Sequence, residues 1–155
     1  MKNIQGHKMR KIEKIIIHCS ASEFGDASRI KLWHTVGEGN SKGKGWADIG
    51  YHYIINNGKV FKDDKVNQRV QNGFVEKGRA DSVSGAHTQG QNSNSIGICL
   101  IGNKYFTEEQ FNSLNTLLDS LLKAYNLTKN DVYGHYNFSS KTCPNFNVQE
   151  FMEKR

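Results

Sequence analysis

The sequence predicts a single α/β domain with a central mixed β-sheet flanked by helices. Three observations predict it. Short apolar runs rich in β-branched residues occur at 15–17 and 96–101, apolar residues recur at helical spacing between 111 and 125, and strand-like and helix-like segments alternate along the chain. A chain of 155 residues has the length of one domain and can bury a sizeable core without disulfide support.

The first half of the chain begins with a polar, basic segment. We predict that residues 1–13 form a flexible leader and that residues 14–155 form the folded domain. The run Lys14–Cys19 is β-branched and apolar, which indicates a buried strand. Apolar residues from Ile30 to Val36 follow a loose helical spacing, and Gly37 is placed to end that helix. The glycine-rich segment 37–45 predicts a flexible loop.

The middle of the chain predicts further strands. Residues 51–55 predict one strand and residues 59–61 a second. The Asn-Asn-Gly turn at 56–58 between them is typical of a hairpin. Residues 63–72 read as an inserted polar segment. A short strand near 73–76 and a buried strand at 95–101 follow.

The last third contains the clearest helix signal. Thr107 and Gln110 form a capping-box pattern directly before the amphipathic stretch that ends near Tyr125. Residues 131–135 predict a last strand, and a loop containing Pro144, the single proline, follows.

Composition excludes several classes of protein. The hydrophobic fraction of 36% argues against a disordered chain, and no apolar stretch approaches the roughly 20 residues that a membrane span needs. No apolar stretch of signal-peptide length follows the basic start, so we expect synthesis in the cytoplasm without a secretory signal. The formal charge of +6 suits an anionic partner such as nucleic acid, a bacterial wall or an acidic membrane face, and by itself selects none of them.

Two separate segments carry residues suited to metal chemistry. His18 stands at the carboxyl end of the first strand, and His135 precedes Cys143 by eight residues. The three cysteines include no CxxC pair, which argues against a zinc knuckle. A His2Cys set would leave the fourth position of a zinc ion open to water, as a hydrolytic site requires. On chemistry alone, a structural histidine and an unrelated cysteine remain the alternative.

Four motifs follow one another along the chain. They are Ile15-Ile16-Ile17-His18-Cys19-Ser20, Gly45-Trp46-Ala47-Asp48-Ile49-Gly50-Tyr51-His52-Tyr53, the segment from Gly85-Ala86-His87 to Ser95-Ile96-Gly97-Ile98, and His135 through Lys141-Thr142-Cys143-Pro144. In this order they resemble the type 2 N-acetylmuramoyl-L-alanine amidases, which include phage amidase-type lysozymes and peptidoglycan recognition proteins. The resemblance covers residues 14 to 150 and is closest to the phage lysozyme branch. The segment 63–72 looks longer than the family's usual hairpin, and we expect it to add a contact with the cell wall or with a partner.

The resemblance implies a zinc ion held by His18, His135 and Cys143 on an amidase-like α/β fold, so that 14–155 would be a zinc amidase domain. It implies hydrolysis of the amide between N-acetylmuramic acid and the L-alanine of the stem peptide. Lys141 would stabilise the oxyanion, and Tyr51, which matches a catalytic tyrosine of phage members, would orient the water or relay its proton.

Two further positions follow from the resemblance. His87 lies in the Gly-Ala-His segment, where we expect it to bind substrate; the alternative is a role in supporting the loop. Many wall-recycling relatives carry a glutamate after the Ser-Ile-Gly-Ile run as the candidate general base, whereas Cys99 stands there in this chain. A carboxylate base is therefore in doubt.

Competing functions remain at this point. A peptidoglycan-binding module without activity would typically lack the thiolate ligand, which is present here as Cys143. A cytoplasmic wall-recycling amidase is a second alternative to a phage-type endolysin that reaches the wall through another protein's membrane lesion. We expect a monomer that binds peptidoglycan and neither enters membranes nor binds nucleic acid. Some phage lysozymes of this family bind a polymerase, but no residue of this chain supports the same expectation here.

Overall fold

The computed structural model of the chain describes residues 9–155 and contains a five-stranded mixed sheet. The strand order is β5-β4-β6-β1-β7, and all neighbouring pairs are parallel except β4 with β5. The predicted fold class is confirmed. In chain order, the elements are β1 (Lys14–Cys19), α1 (Ala27–His34), β2 (Gly37–Glu38), β3 (Ser41–Lys42), β4 (Tyr53–Ile55), β5 (Val75–Lys77), β6 (Ser95–Leu100), α2 (Glu108–Tyr125), β7 (Val132–Gly134) and α3 (Val148–Glu153).

Helices cover both faces of the sheet. The larger core lies between one face and the helices α2 and α3, where Leu114 and Val148 are fully buried. The smaller core lies on the other face, where Ile30 of α1 packs with Ile54 and Cys99. Alternation along β1 therefore sends Ile15 and Ile17 into the larger core and turns His18 towards the opposite side.

Parallel pairing brings the carboxyl ends of several strands to one edge of the sheet. In the β1–β6 register His18 stands opposite Cys99, and Ile17 stands opposite Gly134 of β7. His135 follows Gly134 directly, so the first and last strands deliver their histidines to the same edge. Side chains leave the core at such an edge, which is where clefts form in α/β proteins.

Helix α2 begins and ends as its sequence predicts. Thr107 caps its first turn in a capping box with Gln110, and Asn126 ends the helix in the left-handed conformation. Gln110 is fully buried, and its Nε2 donates to the carbonyls of Ile55 and Ile101 at 3.1 and 2.8 Å. This amide therefore joins the helix to the sheet.

Replacing Gln110 with leucine should lower the free energy of unfolding by about 2–4 kcal/mol, because the two carbonyls and the Thr107 amide lose their buried partner. Urea unfolding measures this loss. The matched control is Gln71→Leu at an exposed position, which should change stability by less than about 0.5 kcal/mol. An unchanged unfolding midpoint for the Gln110 variant would refute the bridging role.

The predicted hairpin at 51–61 is wrong in its second strand. In the described part of the chain, residues 9–155, no strand pairs with residues 59–61. The main-chain amides of Val60 and Phe61 donate instead to the buried Asp64 carboxylate at 3.2 and 3.0 Å. Strand β5 pairs with β4 instead. The polar insertion 63–72 is a series of turns in which Arg69 contacts Asp64 at 3.1 Å, and its contact with a wall or partner stays a prediction.

Three other segments differ from expectation. Residues 1–8 of the predicted leader lie outside the described residues. In the rest of the leader, Arg10 donates to the carbonyls of Asp81 and Ser95, and Ile12 is buried. Residues 10 and 12 therefore pack on the domain. The glycine-rich loop contains the β2–β3 hairpin. Helix α3 was not predicted because its six residues give too few apolar repeats. Within residues 9–155, no helix has the length and apolarity to span a bilayer.

Candidate active site

Three predicted ligands meet at the carboxyl edge of the sheet. One donor atom from each of His18, His135 and Cys143 lies within 4.8 Å of the other two. His18 is buried at the end of β1, His135 opens a 3₁₀ turn after β7, and Cys143 lies in the following loop. The loop is held by a hydrogen bond from the Tyr136 amide to the Cys143 carbonyl at 3.0 Å.

The donor set fits a zinc ion. Tetrahedral zinc with bonds of about 2.0–2.3 Å needs donor separations of about 3.3–3.6 Å, which a small inward movement of these side chains supplies. Burial lowers the pKa of His18 well below its usual value, and burial and then the charge of Lys141 lower the pKa of His135. Both imidazoles are therefore neutral at pH 7, as metal ligation requires.

The thiol of Cys143 lies beside a second thiol. Hydrogen bonding with the Cys19 thiol and then burial raise the pKa of Cys143. The main-chain amide of Cys19 donates to the Cys143 sulfur at 3.1 Å, which orients that sulfur and favours its thiolate form. Cys19 therefore contacts a proposed ligand, although it is outside the donor cluster.

His87 lies behind His18 rather than in open solvent. Its Nδ1 is 2.9 Å from His18 Nε2, and its Nε2 is 3.3 Å from the Ser95 hydroxyl, which in turn donates to the Gln91 carbonyl at 2.7 Å. In this arrangement His18 Nε2 donates to His87 Nδ1, and His87 Nε2 donates to the Ser95 hydroxyl. Both nitrogens of His87 are then paired, and Nδ1 of His18 is left for a metal. This geometry favours the supporting role, and the substrate contact of His87 stays a prediction.

Tyr51 and Lys141 both line the cavity that contains the donors. The Tyr51 ring lies 5.1 Å from the His18 ring, and burial raises the pKa of its phenol well above the usual value. Tyr51 is therefore a hydrogen-bond donor at neutral pH and not a base. Lys141 is exposed and lines the same cavity as the three donors. After burial, its charge is a cause that lowers the pKa of His135.

The cavity has a volume of about 300 Å³ and extends beyond the predicted residues. Its wall includes His34, Lys44 and Trp46, to which the sequence analysis assigned no role in a site. His34 has a structural reason to be there, because its Nδ1 accepts from the Gly50 amide at 2.9 Å.

The position of the missing glutamate is closed to solvent. Cys99 is fully buried in the smaller core, beneath Tyr51. The residues described as lining the cavity include no aspartate or glutamate. His52 is also fully buried, and its Nδ1 accepts from the Gly97 amide at 3.0 Å.

Comparisons with known proteins show the family and the fold of this chain. Residues 8–146 match the family described as N-acetylmuramoyl-L-alanine amidase. The chain is 32% identical to the endolysin of Escherichia phage T7 over 99% of this chain and 94% of that protein. It is similar in structure to the N-acetylmuramoyl-L-alanine amidase LysC from Clostridium intestinale URNW, with a TM-score of 0.73 and 26% identity over 94% of this chain and 85% of that chain. Drosophila peptidoglycan recognition protein SA shares the fold, with a TM-score of 0.69 and 20% identity over 94% and 80% of the two chains.

Proposed function

The chain belongs to the N-acetylmuramoyl-L-alanine amidase family, and on that premise we propose that it is a zinc-dependent endolysin. It hydrolyses the amide between N-acetylmuramic acid and L-alanine in bacterial peptidoglycan. The observation that carries the proposal is the convergence of His18, His135 and Cys143 within 4.8 Å at the floor of a cleft. The match to nearly the full length of a phage endolysin favours this function over a binding module.

A bound zinc ion would supply Lewis-acid chemistry at the amide carbonyl and lower the pKa of a water molecule. The chain's own residues supply the remainder. Lys141 places a positive charge where the carbonyl oxygen becomes an oxyanion, and Tyr51 donates a hydrogen bond that orients the reacting groups. His87 fixes the ring of His18 through their 2.9 Å contact.

This chemistry acts at the bacterial cell wall. We propose that the protein is made in the cytoplasm, reaches the wall through a membrane lesion made by another protein, and works as a monomer. Its formal charge of +6 favours encounter with the anionic wall.

Zinc dependence is tested by removal and return of the metal. Protein treated with a chelator should lose release of stem peptide from peptidoglycan, and one equivalent of zinc should restore it. Elemental analysis confirms the metal content of each sample. Full activity in protein shown to be free of metal would refute the proposal.

Replacing Tyr51 with phenylalanine should reduce kcat by about 100-fold while zinc content stays unchanged, because only the donor hydroxyl is removed. Steady-state kinetics on soluble muropeptides measures this. The control is Tyr53→Phe, whose hydroxyl donates to Asp81 at 2.9 Å instead of lining the cavity. A Tyr51 variant with wild-type kcat would remove this residue from the mechanism.

A further inference from the structure

The wall of the cleft carries a second lysine that the mechanism does not use. Lys44 follows the β2–β3 hairpin and lines the same cavity as the metal donors. With Lys141 it gives the cavity two ammonium groups, and the lining residues described for this cavity include no carboxylate. The cleft is therefore suited to an anionic ligand.

The backbone of Lys44 is fixed from both sides. The Gly45 amide donates to the Thr35 carbonyl at 2.9 Å, and the Trp46 amide donates to the His34 carbonyl at 3.0 Å. Gly43 approaches Thr35 so closely that an added Cβ would lie 2.1 Å from the Thr35 carbonyl oxygen. The glycine-rich segment thus holds Lys44 at a defined place on the wall.

The ammonium of Lys44 is available to a ligand. It lies 5.2 Å from the centre of the Trp46 ring, a cation–π contact on one side of the ammonium. This contact leaves the N–H groups of the ammonium free to donate to a ligand. The nearby acids are engaged elsewhere, since Glu38 contacts Arg29 at 2.8 Å and Asp48 contacts Lys31 at 3.6 Å. Within residues 9–155, no carboxylate forms an ion pair with Lys44.

The two lysines serve different parts of the cleft. A row of rings leads away from the metal donors, from His18 to Tyr51 at 5.1 Å, from Tyr51 to His34 at 5.4 Å, and from His34 to Trp46 at 4.8 Å. Lys44 stands at the far end of this row. Lys141, in contrast, lies in the loop that contains the proposed ligand Cys143, two residues before it.

We propose that Lys44 binds a free carboxylate of the stem peptide and thereby selects substrates that carry it. The inference rests on the proposed amidase function. In peptidoglycan the glycan chain is uncharged at the muramic acid once its lactyl group is in the amide, whereas the stem peptide retains carboxylates. An ammonium without a protein counter-charge gains a charge-assisted hydrogen bond only from the peptide part of the substrate.

The test compares wild type and Lys44→Met on three soluble muropeptides with the stem L-alanine, γ-linked D-glutamate and a diamino acid. One has all carboxylates free, one is amidated at the second residue, and one is amidated at the third. We expect kcat/KM of the variant to fall about tenfold on the free substrate and the loss to vanish on one amidated form. Lys44→Arg should retain most of the wild-type preference.

Lys42→Met is the matched control. Lys42 is an exposed lysine of the β2–β3 hairpin, two residues before Lys44, and does not line the cavity. It should behave as wild type on all three substrates. An equal loss on all three substrates in Lys44→Met, or no loss on any, would overturn the role of Lys44 alone. Failure of the zinc-loaded wild type to cleave any of them would overturn the proposed function and this inference with it.

Discussion

Replacing Cys143 with serine should abolish zinc binding and hydrolysis together. A serine hydroxyl stays protonated at neutral pH, so the site would retain two neutral imidazoles and no anionic ligand. Loss of even an indirect support of a zinc ligand lowers affinity by about 10- to 100-fold, and loss of the ligand itself should exceed that. We therefore expect less than about a tenth of an equivalent of zinc after dialysis and no detectable release of stem peptide.

The neighbouring thiol provides the control for this variant. Cys19 contacts Cys143 but is not in the donor cluster, so Cys19→Ala should keep zinc and most of the activity. Elemental analysis and rate measurements on both variants decide between the two thiols. A Cys143→Ser protein with a full equivalent of zinc and wild-type rate would contradict the ligand assignment, as would equal loss of zinc in both.

Replacing Lys141 with alanine should lower kcat by about 100- to 1000-fold without loss of zinc. The side chain is exposed in the ground state, so its removal should cost little stability. Its charge matters when the amide carbonyl oxygen becomes an oxyanion, and KM should change much less than kcat.

A lysine outside the cleft separates this effect from a general loss of charge. Lys129 pairs with Glu153 at 3.1 Å on the surface, and Lys129→Ala should keep the wild-type kcat. Steady-state kinetics with zinc content measured on each preparation tests both variants. A Lys141→Ala enzyme with unchanged kcat would exclude Lys141 from oxyanion stabilisation.

The parts of the fold that could be predicted are those with strong local signals. The apolar runs of β1 and β6 are nearly continuous because both strands are central in the sheet and buried on both faces. Helix α2 has a capping box and a full apolar stripe. The second strand of the predicted hairpin, 59–61, does not form. The Asp64 carboxylate accepts hydrogen bonds from the main-chain amides that a partner strand would need, and the local sequence pattern does not reveal this competition.

Some residues of the candidate site could also be predicted from the sequence, and others could not. Motif resemblance and the chemistry of histidine and cysteine predicted a set of residues that the structure brings together at one edge of the sheet. Lys44 could not be predicted, because its place on the wall depends on main-chain contacts with residues 34 and 35 and on the close approach of Gly43. The supporting position of His87 likewise depends on its contact with His18, 69 residues away in sequence.

We propose that a metal held by His18, His135 and Cys143 enables this chain to cleave one particular amide of peptidoglycan. The decisive measurement is mass spectrometry of purified peptidoglycan after incubation with zinc-loaded protein, beside a chelator-treated sample. We expect release of intact stem peptides with a free L-alanine amine from the zinc-loaded sample alone. Cleavage at another bond, equal release in the chelated sample, or wall binding without any cleavage would refute the proposal.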